Sequence, residues 1–168
     1  MAGTLLPAFG RTDHGLERNG KPGDEMTGFH VQVGDRATFS KTVSESDVYL
    51  FAGITGDLAP NHVNKAYMQA TAYGERIAHG ALLIGYMSTT STMITDASRG
   101  SSETAVSLGY DRIRFLKPVF LGDTITVTYT FTAIDLEAKR STADIEITNQ
   151  DDELTTVGQH ILKWVPNS

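Results

Sequence analysis

No cysteine occurs among the 168 residues. That excludes disulfide scaffolds, cysteine-ligated zinc, iron–sulfur clusters and thiol nucleophiles together. Positive charge is also in short supply: 14 Lys and Arg stand against 20 Asp and Glu, a net charge of −6. Such a balance argues against a nucleic-acid or anionic-membrane surface as the main role of the chain. Long apolar runs are missing too, and the longest, residues 80–87, is far too short to span a bilayer. The N-terminal stretch MAGTLLPAFGRTDHG lacks the basic start and long apolar segment of a secretory signal. Phosphate-cradling glycine motifs are absent, and the three scattered histidines His14, His30 and His160 do not make metal-ligand spacing. The expectation is a soluble cytoplasmic domain of ordinary size with no bound metal.

What is present divides unevenly. Residues 1–30 hold six of the 16 glycines and no clear periodicity, and read as an irregular N-terminal arm. Residues 31–168 read as one folded domain. It opens with a strand pattern over FHVQVGDRATFSKTV, broken at Gly34-Asp35. Ser44 with Asp47 three residues on makes a capping-box start for a short helix, and Gly56 stands where its C-cap belongs. A loop from Asp57 to His62, stiffened by Pro60, leads to a second helix over about 64–72. The stretch from Gly80 to about Ala97 is apolar nearly all round, which predicts a buried helix. The chain then changes period. Residues 124–131 alternate without a break, and about 104–117, 140–149 and 154–165 also read as strands. Strand, helices and a run of strands define an α+β domain, one helix packed on one antiparallel sheet.

Two places carry chemistry. Asp57 and His62 share one short loop, and a carboxylate beside an imidazole can manage one water, one group taking a proton while the other gives one. The same spacing also suits an Asp capping a turn and a His with no role. His79-Gly80 opens the apolar helix. Unsatisfied N–H groups there, with no Cβ in the way, can polarise a carbonyl; tight helix–sheet packing is the plainer reason for a glycine. His14 and His30 read as solvated, His160 as a satisfied sheet histidine. Asp151-Asp152-Glu153 reads as a polar hairpin turn. Arg112, Arg114 and Lys117 suit either the phosphates of an anionic ligand or a solvated strand face, with the latter as the default.

Residues 35–135 resemble the MaoC-like dehydratases, most closely the (R)-specific enoyl-CoA hydratases. The resemblance rests on Gly56-Asp57-Leu58-Ala59-Pro60-Asn61-His62, then His79-Gly80, then Phe115-Leu116-Lys117-Pro118-Val119-Phe120-Leu121-Gly122-Asp123. The family pattern is G-D-x-N-P-(apolar)-H, an H-G pair, and F-x-x-P-V-x-x-G-D. Ala59 replaces the family's Asn, and Asn61 replaces its apolar residue. The resemblance implies a hot-dog fold, a long central helix wrapped by an antiparallel sheet, and a homodimer joined sheet edge to sheet edge, or a higher homo-oligomer. It implies reversible hydration of a trans-2-enoyl-CoA to a 3-hydroxyacyl-CoA, a hydro-lyase reaction of fatty acid metabolism with the CoA thioester as substrate and no cofactor. Asp57 and His62 would hold the water, the Gly80 N–H would bind the thioester carbonyl, and Ser88 and Asn61 would be accessory. The rival readings are a hot-dog acyl-CoA thioesterase and a non-catalytic acyl-CoA-binding partner subunit.

Overall fold

The structure, a computed structural model, describes residues 16–17, 29–96 and 101–167. Alternation in the sequence becomes one antiparallel sheet. Its strands are β1 (Leu16–Glu17), β2 (Arg36–Thr42), β3 (Glu103–Phe115), β4 (Thr124–Asp135), β5 (Arg140–Thr148) and β6 (Leu154–Pro166), in the order β1-β2-β4-β5-β6-β3. In β4, Ile125, Val127, Tyr129 and Phe131 turn inward while the intervening threonines stay partly exposed. Ala143, Ile145 and Ile147 of β5 and Leu162 and Trp164 of β6 extend that buried face. Each such large side chain contributes about 1.5–3 kcal/mol on full burial.

The first helix, α1 (Glu45–Thr55), begins with the expected capping box. The Asp47 N–H donates to Ser44 Oγ, and the Ser44 N–H donates to Asp47 Oδ2. Gly56 ends it with φ 79°, in the left-handed region that favours glycine. The helix expected over 64–72 begins earlier and is broken. α2 (Pro60–Val63) and α3 (Lys65–Gln69) are separated at Asn64, whose side chain accepts from the Tyr67 N–H and caps α3. Pro60 at the first position of α2 starts that turn, so His62 sits on a helical turn, not a loop.

The long helix α4 (Gly80–Thr95) packs on β2 and β4. Leu83, Tyr86, Met87, Thr90, Ser91 and Ile94 are buried. Ala81, Gly85, Ser88, Thr89 and Thr92 lie exposed on the other side. The expected all-round burial is thus corrected to one face. The opposite face combines small and hydroxyl side chains, whose modest hydropathy the sequence pattern did not separate from true core.

Two readings of the first 30 residues meet the structure. Leu16 and Glu17 pair with Ala37 and Arg36, and Phe29 reaches the core. His30, expected to be solvated, stacks on Trp164 with ring centroids 4.7 Å apart, and its Nε2 lies 3.1 Å from Glu103 Oε2. The aromatic neighbour is far away in sequence, so nothing local announced it. His14 lies outside the described residues, as does most of the expected arm.

Candidate active site

Three hydrogen bonds lace the segment 57–62 to the segment 77–79. The Ile77 N–H donates to Asn61 O at 3.1 Å. His62 Nδ1 lies 2.8 Å from Ile77 O, and His79 Nε2 lies 3.0 Å from Asp57 O. A carbonyl oxygen only accepts, so each imidazole donates its proton there. The same segments are anchored to the sheet side by the Ala78 N–H, which donates to Val119 O at 2.7 Å. Local sequence explains the setting: Gly56 turns the chain out of α1, and Pro60 starts the next turn, leaving Asp57 and His62 on either side of a tight bend.

The tautomer of His62 follows. With Nδ1 protonated, Nε2 carries a lone pair, and Asn61 Nδ2 donates to it at 3.1 Å. His62 is buried, whereas Asp57 is exposed, its Oδ1 accepting from the Ala59 N–H at 3.3 Å. Potential ligand atoms of Asp57, His62 and His79 all lie within 4.8 Å of one another. The His62 and His79 rings are stacked, centroids 3.7 Å apart and planes 27° apart. Their lone pairs therefore run in near-parallel planes, a poor arrangement for one shared ion, whose ligands should converge.

A cavity of about 380 Å³ opens beside these groups. Asn61, His62, Gly80, Phe115 and Lys117 line it. Gly80 is the first residue of α4, where N–H groups lack intrahelical partners and the helix dipole is positive. A Cβ at Gly80 would lie 2.6 Å from the Phe115 ring. The glycine is thus needed for close approach. The arrangement brings together an unprotonated imidazole nitrogen, a carboxylate and a backbone donor for a developing oxyanion.

The expected residues divide in two. Asp57, Asn61, His62 and Gly80 form one cluster. Ser88 lies eight residues along α4, about 12 Å by helical rise, and its hydroxyl faces Tyr110, where burial pushes the phenol up and Ser88 partly offsets it. Sequence reading missed His79 and Phe115 as neighbours of the cluster. The His79-Gly80 pair was noticed for its glycine; the histidine carried no separate signal. Arg112 and Arg114 are exposed on β3, as the default reading held. Lys117 lines the cavity and also pairs with Glu153 at 2.6 Å. His160 is a buried sheet histidine, as expected: Nε2 meets Ser107 Oγ at 2.8 Å and Nδ1 meets the Tyr129 hydroxyl at 3.0 Å.

Fold and site together define a hot-dog protein whose Asp–His turn faces the N-terminus of its central helix. The family model for the MaoC like domain matches residues 30–153, and the chain belongs to that family. A protein of Rhodospirillum rubrum named (R)-specific enoyl-CoA hydratase is 39% identical over 109 residues, 65% of this chain and 72% of that one. Another of that name, from Aeromonas caviae, is 29% identical over 138 residues, 82% of this chain and 98% of that one. Among solved structures, an (R)-hydratase from A. caviae superposes with a TM-score of 0.72 at 28% identity, covering 79% of this chain and 96% of its own. An R-hydratase from Pseudomonas aeruginosa gives 0.70 at 29%, covering 82% and 84%.

Proposed function

We propose that this chain is an (R)-specific enoyl-CoA hydratase, adding water reversibly across a trans-2-enoyl-CoA to give a (3R)-hydroxyacyl-CoA. The observation that carries the reading is the fixed setting of His62. Its Nδ1 proton is committed to Ile77 O, so its Nε2 is unprotonated and, once Asn61 releases it, can act as a base beside the Asp57 carboxylate. In the step, the Asp57–His62 pair takes a proton from water while the water oxygen bonds C3. The C2=C3 electrons shift toward the thioester carbonyl, whose oxygen gains charge next to the Gly80 N–H. The proton held by the pair then goes to C2, so the balance needs no other acid. No cofactor enters this scheme, since the thioester supplies the activation.

Asn61 holds the His62 tautomer in the resting site and yields Nε2 to the water. Ser88 is the least supported of the group, being remote from Gly80 along α4. A homodimer in the cytoplasm, serving fatty acid metabolism, completes the reading. Exposed Val106, Leu108 and Phe115 on the edge strand β3 favour a second copy. No helix among the described residues is long and apolar enough to cross a membrane.

The test is hydration of crotonyl-CoA with the chirality of the product determined. Formation of (R)-3-hydroxybutyryl-CoA supports the proposal. Release of free CoA thiol without hydration would assign a thioesterase, and tight binding without product a partner subunit.

A further inference from the structure

The residue at the head of α4 breaks a local rule. Helix N-caps favour Ser, Thr, Asp or Asn, whose side chains satisfy an orphan N–H and contribute about 1 kcal/mol. His79 occupies that position and its side chain makes no capping bond. It is 1% exposed, yet its Nδ1 is a buried atom with no hydrogen-bond partner. Both features disfavour the fold locally, and such concessions tend to fall at functional sites.

Its contacts point in one direction. Nε2 donates to the backbone oxygen of Asp57. One ring face stacks on His62, and Phe51 of α1 packs against the ring with centroids 4.9 Å apart. The next residue in the chain is Gly80. One side chain therefore touches or adjoins each group that the proposed reaction uses. We infer that His79 is a positioning residue: it fixes the Asp57 turn by its hydrogen bond and the His62 ring plane by stacking, without contacting the reacting atoms. The inference rests on the hydratase reading for its kinetic consequence, though its structural half stands apart from it. Small displacements of a catalytic group cost rate steeply, by up to about a hundredfold for about 1 Å, so the effect belongs in kcat.

Two variants separate the contributions. His79→Phe keeps a ring against His62 and Phe51 but removes the donor to Asp57 O. His79→Gln keeps a donor at about the Nε2 position and removes the ring. Each should lower kcat for crotonyl-CoA hydration by about tenfold or more while leaving KM within about threefold and the melting temperature nearly unchanged. Amide hydrogen exchange supplies a readout independent of turnover. In His79→Phe the His62 amide, bonded to Ala59 O, should exchange about tenfold faster than in the unaltered chain, with the β4 amides unaffected. A kcat within twofold in both variants overturns the inference, as does a loss of kcat that follows a loss of folded protein. Unchanged exchange at 57–62 overturns it too, even if the unaltered chain hydrates well. If the unaltered chain fails to hydrate any enoyl-CoA, the hydratase reading falls, and the exchange result alone then decides the role of His79.

Discussion

Two buried histidines, His62 and His160, are placed alike and differ in what their partners can do. Each ring is stacked on another, His62 on His79 and His160 on Tyr110 at 4.1 Å and 4°. Each has both nitrogens within hydrogen-bond distance of protein atoms. The partners of His160 are two hydroxyls, Ser107 and Tyr129, each able to donate or accept. They satisfy either neutral tautomer, so nothing there selects one. The partners of His62 are a carbonyl, which only accepts, and an amide nitrogen, which only donates. They select one tautomer, whose lone pair Asn61 holds beside a cavity that His62 lines. Burial and stacking do not separate the two histidines; the one-way character of the His62 partners does. His160 is accordingly sealed as structure, its pKa held down to about 4 by burial, while the Tyr129 hydroxyl is pushed up by the same cause.

The largest break in this contrast comes from His62→Ala or Asp57→Asn. Each should lower crotonyl-CoA turnover by about 100- to 10,000-fold with an unchanged circular dichroism spectrum, whereas His160→Gln should leave kcat within about twofold. A smaller effect is expected from Gly80→Ala. The new methyl would meet the Phe115 ring, which is half exposed and able to shift toward the cavity. The expected outcome is a fall of about tenfold in kcat/KM, restored in part by adding Phe115→Leu. Smaller still, Asn61→Leu removes the donor to His62 Nε2 and should change kcat by only about three- to fivefold, on the scale of one hydrogen bond.

His160 has its own signature in stability. Its folded pKa lies below the ordinary 6.5, so the unfolded chain binds the proton more readily. Stability should therefore fall as pH drops from about 6.5 to about 4, by on the order of 3 kcal/mol, with no further loss from this group below that range. Carboxylates held low by partners, such as Glu103 beside Lys139 and His30, contribute their own loss as pH falls. The comparison of His160→Gln with the unaltered chain isolates the histidine: denaturant midpoints should vary less with pH between 6.5 and 4 in the variant.

Legibility in the sequence followed the range of the interaction. The capping box at Ser44 and Asp47, the Gly56 C-cap and the alternation of β4 are written within a few residues, and each appears in the structure. Asp57, His62 and Gly80 were legible as motifs, and they cluster. The break at Asn64 was missed because one asparagine can end α2 and cap α3 at once. The exposed side of α4 was missed because Ala, Gly and Thr resemble core in a hydropathy count. His30 on Trp164 and His79 on His62 depend on partners 134 and 17 residues away, which no local pattern encodes. The bulges of β3 are likewise nonlocal. They fall at register shifts against β6 between Ser107 and Gly109 and between Asp111 and Arg114. Ile113 packs there onto Gly158, where a Cβ would lie 2.3 Å from its Cδ1.

The lacing between 57–62 and 77–79 has a consequence for motion. Two of its three bonds end on imidazoles and the third joins main chain to main chain, so loosening any one of them loosens the whole turn. Asp57, His62 and the head of α4 are therefore expected to open together as one cooperative unit, with a shared exchange rate slower than that of an ordinary surface loop. Substrate would then enter a site already assembled, and chain exploration would fall to the acyl-CoA.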